Sequence, residues 1–258
     1  MTALCDSMTK VTLDSKEWVA LLSSFGTKIE DIELTVSANK ISYLVSHSTH
    51  AVRFNKTYST GIESTGFLVF TDLKNTKAFL NKSKGDVTIS QMRNRIVLQN
   101  GKKSMTLPVH SCNSSQLSQT ISKLLIDCEE KDWALFGKKT VLDNHADANL
   151  SELVDSLSVA KGLNKDSDYT MKFNAEENEL LLQVRKTGGV SFSCYVNTEN
   201  SDGGNSTVSS SFGSWLLDAL SSLKGNHTSR IHLGDSTPII IEQNGDGWDT
   251  TLLIIDQE

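Results

Sequence analysis

The sequence predicts an α+β chain made of two similar halves, and three observations carry that expectation. Hydrophobic periodicity switches in an ordered way between about 3.6 and 2 residues, the signatures of amphipathic helices and half-buried strands. The same order of elements runs through the chain twice. At 258 residues the chain exceeds the usual range of roughly 100–200 for one domain, so two medium domains fit. The boundaries follow as 1–109, a connector at 110–131, and 132–258.

The first half opens with alternation over Lys10–Asp14, a short strand. A helix follows, with Asp14 or Ser15 as cap, Trp18, Leu21, Leu22 and Phe25 on one face, and Gly26 as stop. Strands are expected at Ile32–Val36, Ile41–Val45 and Val52–Phe54, the first two joined through Ala38-Asn39. Phe67–Phe70 leads into a second helix, capped by Asp72, with Leu73, Thr76 and Leu80 inward and Gly85 as stop. Strands at Val87–Ile89, Ile96–Leu98 and Met105–Leu107 turn at Arg93-Asn94 and Asn100-Gly101.

The second half repeats the order. Trp133–Leu142 reads as a strand, and a helix follows with Leu150, Leu153, Val154 and Leu157 inward and Gly162 as stop. Strands come at Tyr169–Phe173, Leu180–Val184 and Val190–Val196, with Glu177-Asn178 in the place of Ala38-Asn39. After a polar loop, Asn197–Ser206, come Val208–Phe212 and a fourth helix carrying Leu216, Ala219, Leu220 and Leu223, stopped by Gly225. Ile231–Leu233, Ile239–Ile241 and Leu252–Ile254 close the pattern. Between the halves, His110–Lys131 is polar apart from Leu124-Leu125-Ile126 and reads as a connector or a short helix.

Composition narrows the function. The 38% apolar and 22% charged content suits a water-soluble chain with a sizeable core. No apolar run nears the roughly 20 residues that cross a bilayer, and Met1–Asp6 has no signal-peptide character, so the expectation is an intracellular protein. Cys5, Cys112, Cys128 and Cys194 show no Cys-x-x-Cys spacing, and the six histidines have no carboxylate or cysteine at ligand spacing, so neither metal nor cofactor is expected. A Gly-x-Ser-x-Gly elbow is missing, and Thr187-Gly188-Gly189 reads as a hairpin turn rather than a phosphate cradle. The net charge of −6 is unevenly spread: residues 1–130 hold 15 Lys+Arg against 12 Asp+Glu, and residues 131–258 hold 10 against 19.

This doubled pattern resembles the processivity clamps of DNA replication, proliferating cell nuclear antigen and its archaeal, phage and viral relatives. The match rests on Leu13-Asp14-Ser15-Lys16-Glu17-Trp18, on Leu73–Leu80 followed by Asp86–Ile89, on Phe212–Leu223, and on Ser236–Glu242. The resemblance implies a non-enzymatic sliding clamp. Three chains form a homotrimeric ring of six domains, with sheets outside and four helices per chain lining a hole for double-stranded DNA. Subunits join through edge strands. A DNA polymerase and an ATP-driven clamp loader dock a short peptide beneath the connector. The looseness of the match points to a phage or viral source, hence the bacterial cytoplasm for a phage, or the nucleus for a eukaryotic or viral protein.

In such a ring, the helix faces turned from the core should carry Lys or Arg to neutralise phosphates without reading sequence. At 100° per residue, Lys16, Ala20 and Ser23 lie opposite the core on the first helix. Lys74, Ala78 and Lys82 do so on the second, with Lys77 on the flank and Lys84 just beyond. The second half departs from this. It turns Glu152, Asp155, Val159, Asp218, Ser221 and Ser222 outward, and Lys161, Lys165 and Lys224 stand only at or past helix ends. The partner groove implied by the resemblance lies among Leu124, Leu125, Ile126, Ser46, His47, Ile254 and Ile255, unless Leu124–Ile126 simply pack on the sheet. A monomeric clamp-like polymerase accessory protein, binding DNA by one basic face, is the alternative. A small-molecule hydrolase lacks a recognisable nucleophile.

Overall fold

The architecture is that of a computed structural model, which describes residues 9–25, 29–59, 61–110, 116–130, 134–135, 140–142, 144–163, 168–174, 176–185, 191–202, 207–224 and 227–256. The first half runs β1 (Thr9–Asp14), α1 (Ser15–Leu21), β2 (Ile32–Ser37), β3 (Lys40–Ser46), β4 (His50–Thr57), β5 (Gly66–Phe70), α2 (Leu73–Asn81), β6 (Asp86–Met92), β7 (Arg95–Asn100) and β8 (Lys103–Pro108). Then come α3 (Gln116–Glu130) and a small hairpin, β9 (Ala134–Leu135) with β10 (Thr140–Val141). The second half runs β11 (Asn144–Asn149), α4 (Leu150–Leu163), β12 (Asp168–Asn174), β13 (Glu179–Arg185), β14 (Ser191–Asp202), β15 (Val208–Phe212), α5 (Leu216–Leu220), β16 (Thr228–Leu233), β17 (Ile239–Gly245) and β18 (Trp248–Ile254). The strand–helix–four-strand–helix–three-strand order is the same in both, as the sequence predicts.

Local chemistry explains the elements. Asp14 caps α1 by accepting from the Lys16 amide at 2.8 Å. Asp72 caps α2 through the Asn75 amide at 3.0 Å, so each helix begins where its sequence provides an acceptor for otherwise unpaired amides. Asn39 and Asn178 both adopt positive φ, 56° and 52°, a conformation Asn tolerates in tight turns. Trp18 is fully buried and its indole donates to the Val87 carbonyl at 3.0 Å, tying α1 to β6.

Twelve strands form one sheet in the order β15-β12-β13-β14-β11-β16-β17-β18-β4-β3-β2-β5, and β1-β6-β7-β8 form a second. The join between halves is antiparallel pairing of β18 with β4, from Trp248 opposite Lys56 to Ile254 opposite His50. Because side chains alternate along a strand, the two faces of this join carry different cores. Val52, Phe54, Leu252 and Ile254 face the large core shared with Trp18 and Leu21 of α1 and with Leu22 just after it. Ala51, Ile240 and Leu253 face a smaller core completed by Ile121, Leu125 and Cys128 of α3, together with Leu142. The connector is therefore a helix strapped across the outer side of the join. Among the described residues, no helix is long and apolar enough to cross a membrane.

Several sequence expectations need correction. The second half begins with β11, Asn-His-Ala-Asp-Ala-Asn, not with Trp133–Leu142, of which the described part is only the β9–β10 hairpin. Neighbours on both sides enforce this polar strand, since β11 pairs with β14 and β16 at once. The expected loop from Asn197 is strand as far as Asp202, because β14 leaves β13 and continues along β11. The turn after β7 lies one residue later than expected, at Gly101-Lys102; it and the turn after β17, Asp246-Gly247, each place a glycine, Gly101 and Gly247, at positive φ. The helix stops Gly26 and Gly225, Trp133 and the turn Thr187–Gly189 lie outside the described residues.

Candidate nucleic-acid interface

The four helices α1, α2, α4 and α5 pack in two pairs, α1 with α2 and α4 with α5. In α1 the inward face is Trp18 and Leu21, continued by Leu22 and Phe25, leaving Lys16, Ala20 and Ser23 exposed. In α2 Leu73, Thr76 and Leu80 are buried, while Lys74, Ala78 and Lys82 are exposed, with Lys84 exposed beyond the helix. Four ammonium groups thus stand on the solvent side of the first helix pair. Lys77 is different: it lies on the flank with its ammonium 5.2 Å from the centre of the Phe25 ring, and partial burial lowers its pKa.

The second helix pair presents the opposite charge. Glu152 and Asp155 are exposed on α4 beside Val159, which is 58% exposed. Ser222 does not point outward as expected. It is buried and its hydroxyl donates to the Ala219 carbonyl at 2.8 Å, because α5 ends at Leu220 and the chain turns inward. Lys161 ends up within the last turn of α4, and Lys165 lies outside the described residues.

Lys224 sits at the join rather than on a helix. Its ammonium is 3.4 Å from the centre of the Trp248 ring, and burial, followed by the nearby Lys56, lowers its pKa. Lys56, which sequence reasoning missed, lies directly across from Trp248 on the same face of the sheet. It pairs with Glu17 at 2.9 Å and rests 4.8 Å from the Tyr58 ring centre. The alternation Val52-Phe54-Lys56 was the available signal: it assigns Lys56 to the helix side of β4.

The residues expected to form a partner groove divide sharply. Leu125 and Ile254 are fully buried and belong to the two cores, so neither offers a surface. Leu125 does what the packing alternative expects. Leu124 and Ile255 are half-buried at the edge of the smaller core, and Ile126 is 40% exposed. The Ser122 hydroxyl donates to Ser46 at 2.9 Å, linking α3 to β3. On this outer face Arg53 is paired with Glu129. His47 borders the β3–β4 turn, its ring 5.6 Å from that of His50. His50 is buried, and that burial, followed by His47, pushes its pKa down to about 4. Among the described residues, no three His, Cys, Asp or Glu side chains converge on a metal-sized site.

No family model and no curated protein matches this sequence. Solved structures do match its fold. Proliferating cell nuclear antigen of Thermococcus kodakaraensis superposes with a TM-score of 0.68 at 14% identity, covering 96% of this chain and 99% of that one. The antigen of A. fulgidus, solved with the C-terminal region of FEN-1 bound, gives 0.69 at 7% identity over 96% and 98%. A putative DNA polymerase III beta subunit of Eubacterium rectale gives 0.73 at 14% identity, and this chain spans 65% of its length. The protein therefore has the α+β clamp fold of these structures.

Proposed function

We propose that this chain is a processivity clamp: three copies close into a ring around duplex DNA, without base recognition, and tether a replicative polymerase. The domains run 1–109 and 132–258, with residues 110–131 as the connector between them. A loader opens the ring, and the exposed Ile126 with half-buried Leu124 and Ile255 marks where partner peptides dock.

One observation carries the reading. Inside the chain, the last strand of the second half, β18, pairs with β4 of the first. The counterparts of these two strands are β8 and Ser191–Asn197 of β14; among the described residues, the first has only β7 beside it and the second only β13. Each half thus keeps one open edge of matching type, as the head-to-tail pairing that closes rings requires. Aligning the hairpins carries the in-chain register over: Trp248 corresponds to Lys103, and Lys56 to Val196. Met105 then faces Cys194 of the next copy, and Leu107 faces Phe192. All four are half-buried against the large core, so pairing completes their burial.

The test is covalent capture of that register. Cross-strand Cα atoms sit about 4.5–5.5 Å apart, within the span a disulfide bridges. A Met105→Cys chain, mildly oxidised, is expected to join through native Cys194 of its neighbour and yield a covalent trimer that stays on circular but slides off linear DNA. A chain that only monomerises, with no intermolecular bond at high concentration, overturns the ring and leaves the monomeric accessory protein.

A further inference from the structure

Resting on that ring, the structure points to a deeper property: we infer that the joint between chains is so much weaker than the join within the chain that the ring comes apart reversibly on dilution to about micromolar concentration. The two joints are built on corresponding strands, which allows a position-by-position comparison.

On the helix side, the in-chain join is locked by aromatic and cationic packing. Trp248 stacks near-parallel on Phe54 at 6.5 Å, meets His227 edge-on at 5.0 Å, and carries the Lys224 ammonium on its face. At the corresponding places between chains stand Lys103 for Trp248 and Cys194 for Phe54. An exposed lysine and a thiol replace two aromatic rings, removing most of the area that makes such contacts strong.

On the outer side, Asn55 donates to Asp249 at 2.8 Å and Arg53 to Thr251 at 3.1 Å. Their counterparts are Tyr195 with Ser104, and Ser193 with Thr106, which have no charge to contribute. The apolar platform on which α3 sits, Ala51, Ile240 and Leu253, corresponds to Ser191, Arg95 and Pro108. Of these three only the proline is apolar, so a helix strap has little apolar surface to cover there.

The backbone ladder is also shorter. The two-residue turn at Gly101-Lys102 makes Asn100 and Lys103 a mutually bonded pair, so Ser104, Thr106 and Pro108 direct their backbone groups to the open edge. Pro108 has no amide hydrogen, and its carbonyl already accepts from the Thr71 hydroxyl at 3.0 Å. Only two residues of β8 therefore offer both groups, whereas Asp249, Thr251 and Leu253 all do so on β18. A joint with so short a ladder and so little apolar packing belongs with the weak, transient interfaces, and dissociation on the order of micromolar concentration is expected for it.

Light scattering or sedimentation of the full chain over a dilution series tests this. The unmodified protein is expected to pass from trimer to monomer between about 10 and 0.1 micromolar. Pro108→Leu with Cys194→Phe, which restores the ladder donor and the aromatic of the in-chain join, is expected to shift the midpoint down by about tenfold. Cys194→Phe alone should give part of that shift, which covers a failure of the proline variant to fold. A trimer that persists at nanomolar concentration, or variants that leave the midpoint unmoved, overturns the weak-joint inference. Those results would coexist with a covalent Met105→Cys trimer, whereas absence of that trimer defeats the ring itself.

Discussion

Two neighbouring residues of α3 offer the sharpest check on the connector's role. Leu125 is fully buried, whereas Ile126, one position on, is 40% exposed. Truncating a buried leucine to alanine removes transfer free energy and leaves a cavity, together about 2–5 kcal/mol. The cluster around Leu125 is small and lies against the protein's outer side, with Ala51, Ile121, Cys128, Leu142, Ile240 and Leu253 buried beside it among the described residues. Such a site relaxes more easily than a central core, which sets the expected loss for Leu125→Ala at about 3 kcal/mol. Ile126→Ala should cost about 0.5 kcal/mol, as exposed positions do. Urea unfolding followed by circular dichroism measures both. Because the cluster joins β4 to β17 and β18, the Leu125 variant should also unfold less cooperatively, with a lower m-value. Equal costs for the two substitutions would refute the strap, and α3 would then be a loosely attached connector.

The remaining expectations concern charge and the core. Replacing Lys16, Lys74 and Lys82 together by Glu should abolish DNA retention and flatten the salt dependence of binding, each lost phosphate contact lowering the logarithmic slope by about 0.9; an unchanged slope in anisotropy titrations excludes these lysines. His50 has its folded pKa depressed from 6.5 to about 4, so the unfolded chain binds more protons between those values. Its contribution is whole above pH 6.5 and fades as pH falls toward 4, by at most about 1.4 kcal/mol per unit. A His50→Gln chain whose stability falls with acid as steeply as the parent's shows that other groups govern that range. Trp18→Phe leaves the Val87 carbonyl without its indole donor and should cost about 1–3 kcal/mol in thermal or urea unfolding; a loss below about 0.5 would deny that bond any stabilising role.

Much of the fold was legible because its strongest signals are local. Trp18, Leu21, Leu22 and Phe25, or Leu73, Thr76 and Leu80, name a helix face by spacing alone, and Asp14 and Asp72 announce where each helix starts. What stayed hidden depends on neighbours. β11 has the composition of a loop and becomes a strand because β14 and β16 flank it. The last residues of β14 are polar for the same reason. At the candidate site, the exposure of Lys16, Lys74 and Lys82 followed from periodicity, but Lys224 and Lys56 could not be brought together by any short-range pattern. Their proximity is created by the β4–β18 pairing, which spans most of the sequence. Leu124, Leu125 and Ile126 show the same limit: three adjacent apolar residues look equivalent until a sheet lies beneath one of them.

The charge contrast between the halves bears on how such a protein treats DNA. Screening at physiological salt confines an exposed charge's reach to about 8 Å. A phosphate close to α1 and α2 therefore responds to Lys16, Lys74, Lys82 and Lys84, and hardly to Glu152 and Asp155 on the other helix pair. The net charge of −6 is for that reason a poor guide to binding, since it sums groups that no single phosphate senses together. In the proposed ring, basic and acidic helix pairs alternate around the hole, which attracts the duplex to three patches without gripping it all round. An unbroken basic lining holds DNA more tightly, but every step along the duplex must then exchange more contacts at once. Alternation lowers that cost, and retention passes from electrostatic affinity to closure of the ring, which is the joint formed by β8 and β14.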